Sequence, residues 1–417
     1  MKRNPRTVTA LAGALAVATA LAACGGGSAD DGASGGDVTI EFFQSKSEAV
    51  GTVDQLISDF EASHPGITVE QNNTPDALTV LQTRLAKGDV PDVIGVNVSN
   101  LYDVVQAGIL KDLSGTEAAE AVTDQGALDY VATAGQTDEQ LALPWATNAQ
   151  VVLYNKDVYA DLGLSVPTTW DEFLANAQAV QDAGQNPFYF TWKDSWTAKL
   201  VLNSIAGNLQ PADFLDQLQD GTATFADSDA YQETADKLIQ LKAFAQDDPF
   251  GKGYDDGNAA FADGQAAMYV QGIWAIPEIT AVNPDVSIGA FVMPVTDDAD
   301  DTKILSGPDS VIGIAQDSEH ADAAQEFVDY LFSKEGQETF ANGQHLFSVR
   351  DDVVSDDELL APLKADWIDA GRTAAYPDGM FTGSSDLAAI VQDFLYQEDT
   401  DTFLSQIDTD WSTNGLK

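Results

Sequence analysis

Cysteine, histidine and positive charge are scarce in this sequence, and each scarcity closes off a class of function. The 417 residues contain one cysteine, Cys24. A lone cysteine forms no internal disulfide, no CxxC redox pair and no zinc ribbon. The three histidines, His64, His320 and His345, lie far apart and outside any HExxH pattern, so no zinc site is expected. Lysine and arginine together number 19 against 67 acidic residues, a formal charge of −48. Such a surface repels a phosphate backbone, which excludes nucleic acid as a partner, and it disfavours anionic headgroups for the same reason.

Catalytic signatures are missing as well. There is no GxxxxGK[ST] phosphate cradle and no GxSxG nucleophile elbow. The acidic loop Asp297-Asp298-Ala299-Asp300-Asp301 lacks the glycine and the closing glutamate of an EF-hand. Among so many carboxylates, no pair is singled out as a glycosidase device. No catalytic residue, metal or cofactor is expected. No segment repeats with a period of 20–50 residues, which argues against solenoids and propellers.

The N-terminus is built differently from the rest. Lys2, Arg3 and Arg6 precede a small apolar run, Val8 to Ala23, too short and alanine-rich for a comfortable membrane span. It ends in Leu21-Ala22-Ala23-Cys24, which closely resembles a bacterial lipobox. The resemblance implies that residues 1–23 are a signal peptide and that Cys24 carries a diacylglycerol. Residues 25–37, GGGSADDGASGGD, hold no apolar side chain larger than alanine and read as a flexible tether.

The body reads as α/β. Val38 to Phe42 alternates like a strand, and Val53, Leu56, Ile57 and Phe60 mark one helix face. Ile67 to Glu70 is the next strand, and Leu78, Leu81 and Leu85 predict a helix. Val90 to Val96 predicts a strand with Pro91 at its start, and Tyr102, Val105 and Ile109 a further helix. Strand and helix alternating with short loops is the doubly wound pattern, with right-handed crossovers. A second α/β region starts with a strand over Gln150 to Tyr154. Its first long helix carries a capping box, Thr169 as N-cap and Glu172 reaching back, with Phe173, Ala177 and Val180 on its buried face. Helices are also predicted over 197–205 and 229–245, around Ala324, Phe327, Val328 and Leu331, and over Leu387 to Leu395.

Four stretches taken in order, VTIEFFQSKSEAVGTVDQLISDFEASHPGITVE, LPWATNAQVVLYNKDVYADLGLSVPTTWDEF, FADGQAAMYVQGIWAI and ILSGPDSVIGIAQDSEHADAAQEFVDYLFSKEGQETFA, resemble the extracellular solute-binding proteins of bacterial ABC importers. The similarity is to their oligosaccharide-binding, maltose-binding-protein-like branch, and it extends over essentially the whole body. It implies a two-lobed periplasmic-binding-protein fold with three inter-lobe crossing segments and a central ligand cleft. The crossings fall near Pro144–Asn148, Pro294–Ser310 and Leu346–Arg350. One lobe would hold 37–147 plus 303–345, the other 148–302 plus 346–417. Such a protein captures a di- to tetrasaccharide, closes on it and presents it to permease subunits, without covalent chemistry. It would act as a monomer on the outer face of the cytoplasmic membrane, touching the membrane only through its lipid.

That architecture nominates the cleft residues. Gln44, Ser45 and Lys46 follow the first strand, where open α/β sheets bind ligands. Asn73 and Asn97 follow the second and third strands. Asn148, Asp309, Phe347 and Arg350 belong to the crossing segments. In FTWKDSW, Trp192 and Trp196 are four apart and would share a helix face, with Lys193 and Asp194 as polar ends. Trp192 is expected as the platform for a sugar's flat C–H face. Tyr254, Trp274, Tyr376 and Asp378 complete the set, with core packing as the rival reading of Trp274. The same fold binding a polyamine, an anchored glycoside hydrolase and an adhesive lipoprotein are the alternatives. Replacing Cys24 by serine is expected to leave an unlipidated precursor that no longer fractionates with membranes, as mass spectrometry of the N-terminus would show.

Overall fold

Thirteen residues from Leu143 to Asn155 form the longest strand of the protein and are buried almost throughout. A strand covered on both faces belongs at the centre of a sheet, and this one does. In the computed structural model, which describes residues 38–74, 77–355 and 357–416, ten strands form one hydrogen-bonded network. They are β1 (Val38–Gln44), β2 (Ile67–Asn73), β3 (Val93–Asn97), β4 (Leu143–Asn155), β5 (Asn186–Phe188), β6 (Ala266–Gly272), β7 (Ile288–Phe291), β8 (Ile304–Ile314), β9 (Phe347–Ser348) and β10 (Thr373–Ala374). The order is β2-β1-β3-β8-β4-β6-β5; β7 and β9 also pair with β4, and β10 with β8. The expected signal peptide, Cys24 and the expected tether lie outside the described residues.

The first region is wound as its alternation predicts. β1 pairs parallel with β2 and with β3. The helix Val50–Ser63 between β1 and β2 buries Val53, Leu56, Ile57 and Phe60. β8 then returns antiparallel to both β3 and β4, joining the first region to the second. Parts of the expected crossing segments, Pro144–Asn148, Pro294–Ser310 and Leu346–Arg350, fall in β4, β8 and β9, which lie side by side: Thr147 of β4 opposes Pro308 of β8 on one side and Phe347 of β9 on the other.

Two expectations differ at their edges. The third strand starts at Val93 rather than Val90, because the chain through Pro91 runs outside the ladder. The third helix is short, Leu101–Gln106, and buries Leu101 and Val104. Ile109 falls beyond it because Gly108 turns the chain at φ +64°. The capping box is displaced by one residue. Thr169 Oγ1 accepts from the Glu172 amide, but the Glu172 carboxylate accepts from Thr168 N–H and Thr168 O–H.

Packing follows the sheet. One core cluster contains Phe42, Phe60, Trp145 and Phe327 beneath the first region and continues along β4. Another gathers Phe173, Phe188, Phe225 and Trp411 under the second. Trp145, 1% exposed, stacks on Phe340 at 3.6 Å between ring centroids and meets Phe42 edge-on at 5.9 Å. It therefore ties β4 to β1 and to the helix Lys334–Gln344. Trp145→Ala is expected to cost about 3–5 kcal/mol, read as a lowered urea midpoint with an unchanged slope.

Candidate functional site

The carboxyl ends of β1 and β3 and the middle of β8 open on one cavity of about 760 Å³. This lies within the 300–1,000 Å³ range of small-molecule sites. Ser45 and Lys46 enter it from the turn after β1, Asn97 from the end of β3, and Asn148 and Asp309 from β4 and β8.

The floor is polar and internally paired. Lys46 Nζ meets Asp309 Oδ2 and lies 3.0 Å from Glu48 Oε1. Asn148 Nδ2 donates to Asp309 Oδ1 at 3.0 Å, and Tyr376 Oη donates to Asn148 Oδ1 at 2.7 Å. Burial opposes the charge on Lys46, yet Asp309 and then Glu48 outweigh it and hold its pKa above the ordinary lysine value. Burial, then the nearby Asp378, raises the Tyr376 phenol well above its usual range, so this hydroxyl is a donor at neutral pH.

The walls are helical and carry the aromatics. The helix Ser195–Leu209 turns Trp196, Lys199, Leu200 and Asn203 toward the cavity, an i, i+3, i+4, i+7 face. Lys199 pairs with Asp378 at 2.6 Å, and Asn203 Oδ1 accepts from the Asp378 amide at 3.3 Å. Asp194 Oδ2 accepts from the Tyr254 amide at 2.7 Å, which fixes the start of the helix Tyr254–Ala262 against the start of the other. Trp196 rests on Tyr254 at 5.1 Å between centroids and is still 38% exposed. Trp274 forms part of the wall beside Glu278. Gly272 makes room for it, since a Cβ there would collide with the indole. Burial and the nearby Glu48 and Asp255 raise the Glu278 carboxyl above its ordinary pKa.

The structure thus brings Ser45, Lys46, Asn97, Asn148, Asp194, Trp196, Tyr254, Trp274, Asp309, Tyr376 and Asp378 around one cavity. It places the other six nominated residues elsewhere. Gln44 is 1% exposed and spends its side chain on Gln71 and the Lys46 amide. Asn73 bonds to the Gln44 carbonyl at 3.3 Å and props the turn from behind. Lys193 points to solvent. Phe347 is core, held by the pairing of β9 with β4. The Arg350 guanidinium is taken by Asp352 at 2.8 and 2.9 Å and by the Phe332 carbonyl at 3.1 Å.

Trp192 is the main correction. It is 1% exposed and stacks on Phe190 at 4.5 Å, with Phe250 at 5.4 Å. Helical spacing with Trp196 does not apply, because the helix starts only at Ser195. Phe188, Phe190 and Trp192 instead follow a period of two and form one stacked row in the core. Several wall residues escaped sequence reasoning. Lys199 and Asn203 had a local signal, their spacing from Trp196. Glu48 followed two residues after Lys46. Tyr130, Asp255, Glu278 and Phe381 had none that distinguishes them from other surface or core positions.

The model of the bacterial extracellular solute-binding protein family matches residues 45–338. The multiple sugar-binding protein of Streptococcus mutans serotype c is 30% identical over 306 residues, 70% of this chain and 71% of that protein. Among solved structures, RafE in complex with raffinose superposes with a TM-score of 0.79 at 26% identity, covering 90% of this chain and 98% of that one. The apo form of RafE from Streptococcus pneumoniae gives 0.71 at 25% identity, covering 90% and 97%. Both share the two-lobed α/β architecture.

Trp192→Ala is expected to behave as a core truncation, losing about 3–5 kcal/mol of stability. Calorimetry of the ligand-free protein measures it, with Trp196→Ala, half-exposed in the cavity, as the comparison that loses little.

Proposed function

Because the chain belongs to the bacterial extracellular solute-binding proteins, we propose that it captures a short oligosaccharide in this cavity and delivers it to the permease of an ABC importer. The observation that carries the reading is the pairing of two accessible indoles with a ring of fixed hydrogen-bonding groups in one cavity. A sugar presents flat C–H faces and a rim of hydroxyls. Trp196 and Trp274 offer the apolar faces, while Asn97, Asn148, Asn203 and the carboxylates offer the rim its partners. Relatives named for multiple sugars and for raffinose support an oligosaccharide as the class of ligand.

The mechanism that follows is capture by closure. The β1 and β3 ends and the helix starts at Ser195 and Tyr254 both contribute residues to the cavity, and in this reading a ligand between them gains its full contacts only when the cleft closes. β4, β8 and β9 act as the crossing segments, between a lobe of 37–147 plus 303–345 and a lobe of 148–302 plus 346–417. The protein holds its ligand without breaking a bond. In this reading Cys24 and its lipid keep the body at the outer face of the cytoplasmic membrane, as a monomer, beside the permease.

Titration calorimetry with raffinose and stachyose tests the reading. Affinity near the micromolar range, about −8 kcal/mol, is expected. Chromatography of the sugars after prolonged incubation should show them intact. Covering roughly 100 Å² of indole at ~25 cal/mol per Å² contributes about 2.5 kcal/mol, so Trp196→Ala should weaken binding by roughly 10- to 100-fold. Failure of every oligosaccharide tried to bind, or release of hydrolysis products, would overturn it.

A further inference from the structure

The charges in the cavity wall are unequal in number and in use. Among the described residues Lys46 and Lys199 are its only ammonium groups, and both are paired, Lys46 with Asp309 and Glu48, Lys199 with Asp378. Asp255 and Glu278 also line the wall, and no hydrogen bond or ion pair from the described residues reaches either carboxylate. Glu48, on the turn after β1, lines the same cavity as Asp255 and Glu278, and burial together with Glu48 and Asp255 raises the Glu278 carboxyl above its ordinary pKa. Trp274 lies four residues before Glu278 in the same wall. Three residues before Glu48, Ser45 is 8% exposed, and its buried Oγ has no hydrogen-bond partner among the described residues. A buried hydroxyl left unpaired and the part-buried Glu278 carboxylate left unneutralised both cost free energy that a donor-bearing ligand would relieve.

We propose that Ser45, Glu48, Asp255 and Glu278, beside Trp274, form a charge-selecting subsite, which accepts a sugar unit presenting O–H or protonated N–H donors and rejects one carrying a carboxylate or phosphate. This rests on the oligosaccharide reading of the cavity and narrows it to neutral and amino sugars. The physical reason is one-sided. A hydroxyl or ammonium donates to Asp255 and Glu278, whereas an anionic sugar brings a further negative charge to carboxylates that no cation offsets. The paired end, with Lys46 and Lys199 already neutralised, offers no free cation among the described residues to hold that anion.

Two measurements on the full mature chain test the proposal. The first needs no ligand. Glu278→Gln removes the part-buried charge on which Glu48 and Asp255 act, so it should raise the melting temperature of the empty protein at pH 7 by a few degrees. Binding residues held against their own repulsion show this sign, and residues that support the fold show the opposite. A lowered or unchanged melting temperature of Glu278→Gln overturns the proposal. The second is calorimetry at pH 6 with raffinose, the glucosamine trimer and trigalacturonate. The wild type should bind trigalacturonate at least 100-fold more weakly than the better of the other two, and Glu278→Gln should weaken that better ligand about 10-fold. Trigalacturonate binding as tightly as the neutral or amino sugar overturns the subsite while leaving oligosaccharide capture standing. If none of the three binds, the oligosaccharide reading fails, and the melting temperatures still decide whether the corner is a repelling cluster.

Discussion

A lysine and an aspartate, each less than a tenth exposed, meet at the floor of the cavity, and the geometry of the site depends on that meeting. Lys46 ends the turn after β1; Asp309 sits in the middle of β8, 263 positions later. A buried ion pair is not a large source of stability, because desolvating both charges offsets most of their attraction. Its effect is positional. Either charge left alone in the interior would be strongly unfavourable, so the turn after β1 cannot leave β8. Asn148 and Tyr376 extend the constraint to β4 and to the loop after β10 through two further hydrogen bonds. Four chain segments with no sequence proximity are thereby held in register around one volume.

The walls obey a different rule. They are aromatic, and their placement depends on what stands behind them. Gly272 lets the Trp274 indole lie against the backbone, and Gly379 does the same for the Tyr130 hydroxyl. Trp196 leans on Tyr254, whose amide is held by Asp194, so the ring presents an open face without being free to turn away. Fixed polar floor and braced aromatic walls suit a ligand that has hydroxyls at its rim and little charge. The acidic excess extends from the whole surface into the cavity itself, where carboxylates outnumber ammonium groups. The same imbalance that marks the whole sequence also biases what the cavity can hold.

Much of the fold was legible because burial is periodic. Val53, Leu56, Ile57 and Phe60 announce a helix, and Val38 to Phe42 a strand, since in each case the side chains that face the core recur at the spacing of the element. The order of these elements is enough for an α/β assignment, and the charge balance, lone cysteine and leader-like N-terminus bound the class of protein. The cleft was partly legible for a related reason. Ser45, Lys46 and Asn97 could be placed at strand ends, where the sheet topology puts a binding rim.

The sequence by itself determined the alternation of strands and helices, the acid surface and the kinship of the chain. Only the tertiary structure decided which of two tryptophans faces the cleft. Trp192 and Trp196 differ because the chain changes from a period of two to a helix between them, and that switch is set by the core formed by Phe188, Phe190 and Phe250 rather than by the tryptophans. It also decided that Arg350 would be consumed by Asp352, and that Glu278, Asp255 and Tyr130 would share a wall with Lys46. Periodicity reports what a residue does within its own element. A cleft is made between elements, from residues hundreds of positions apart, and their meeting is a property of packing that no local pattern carries.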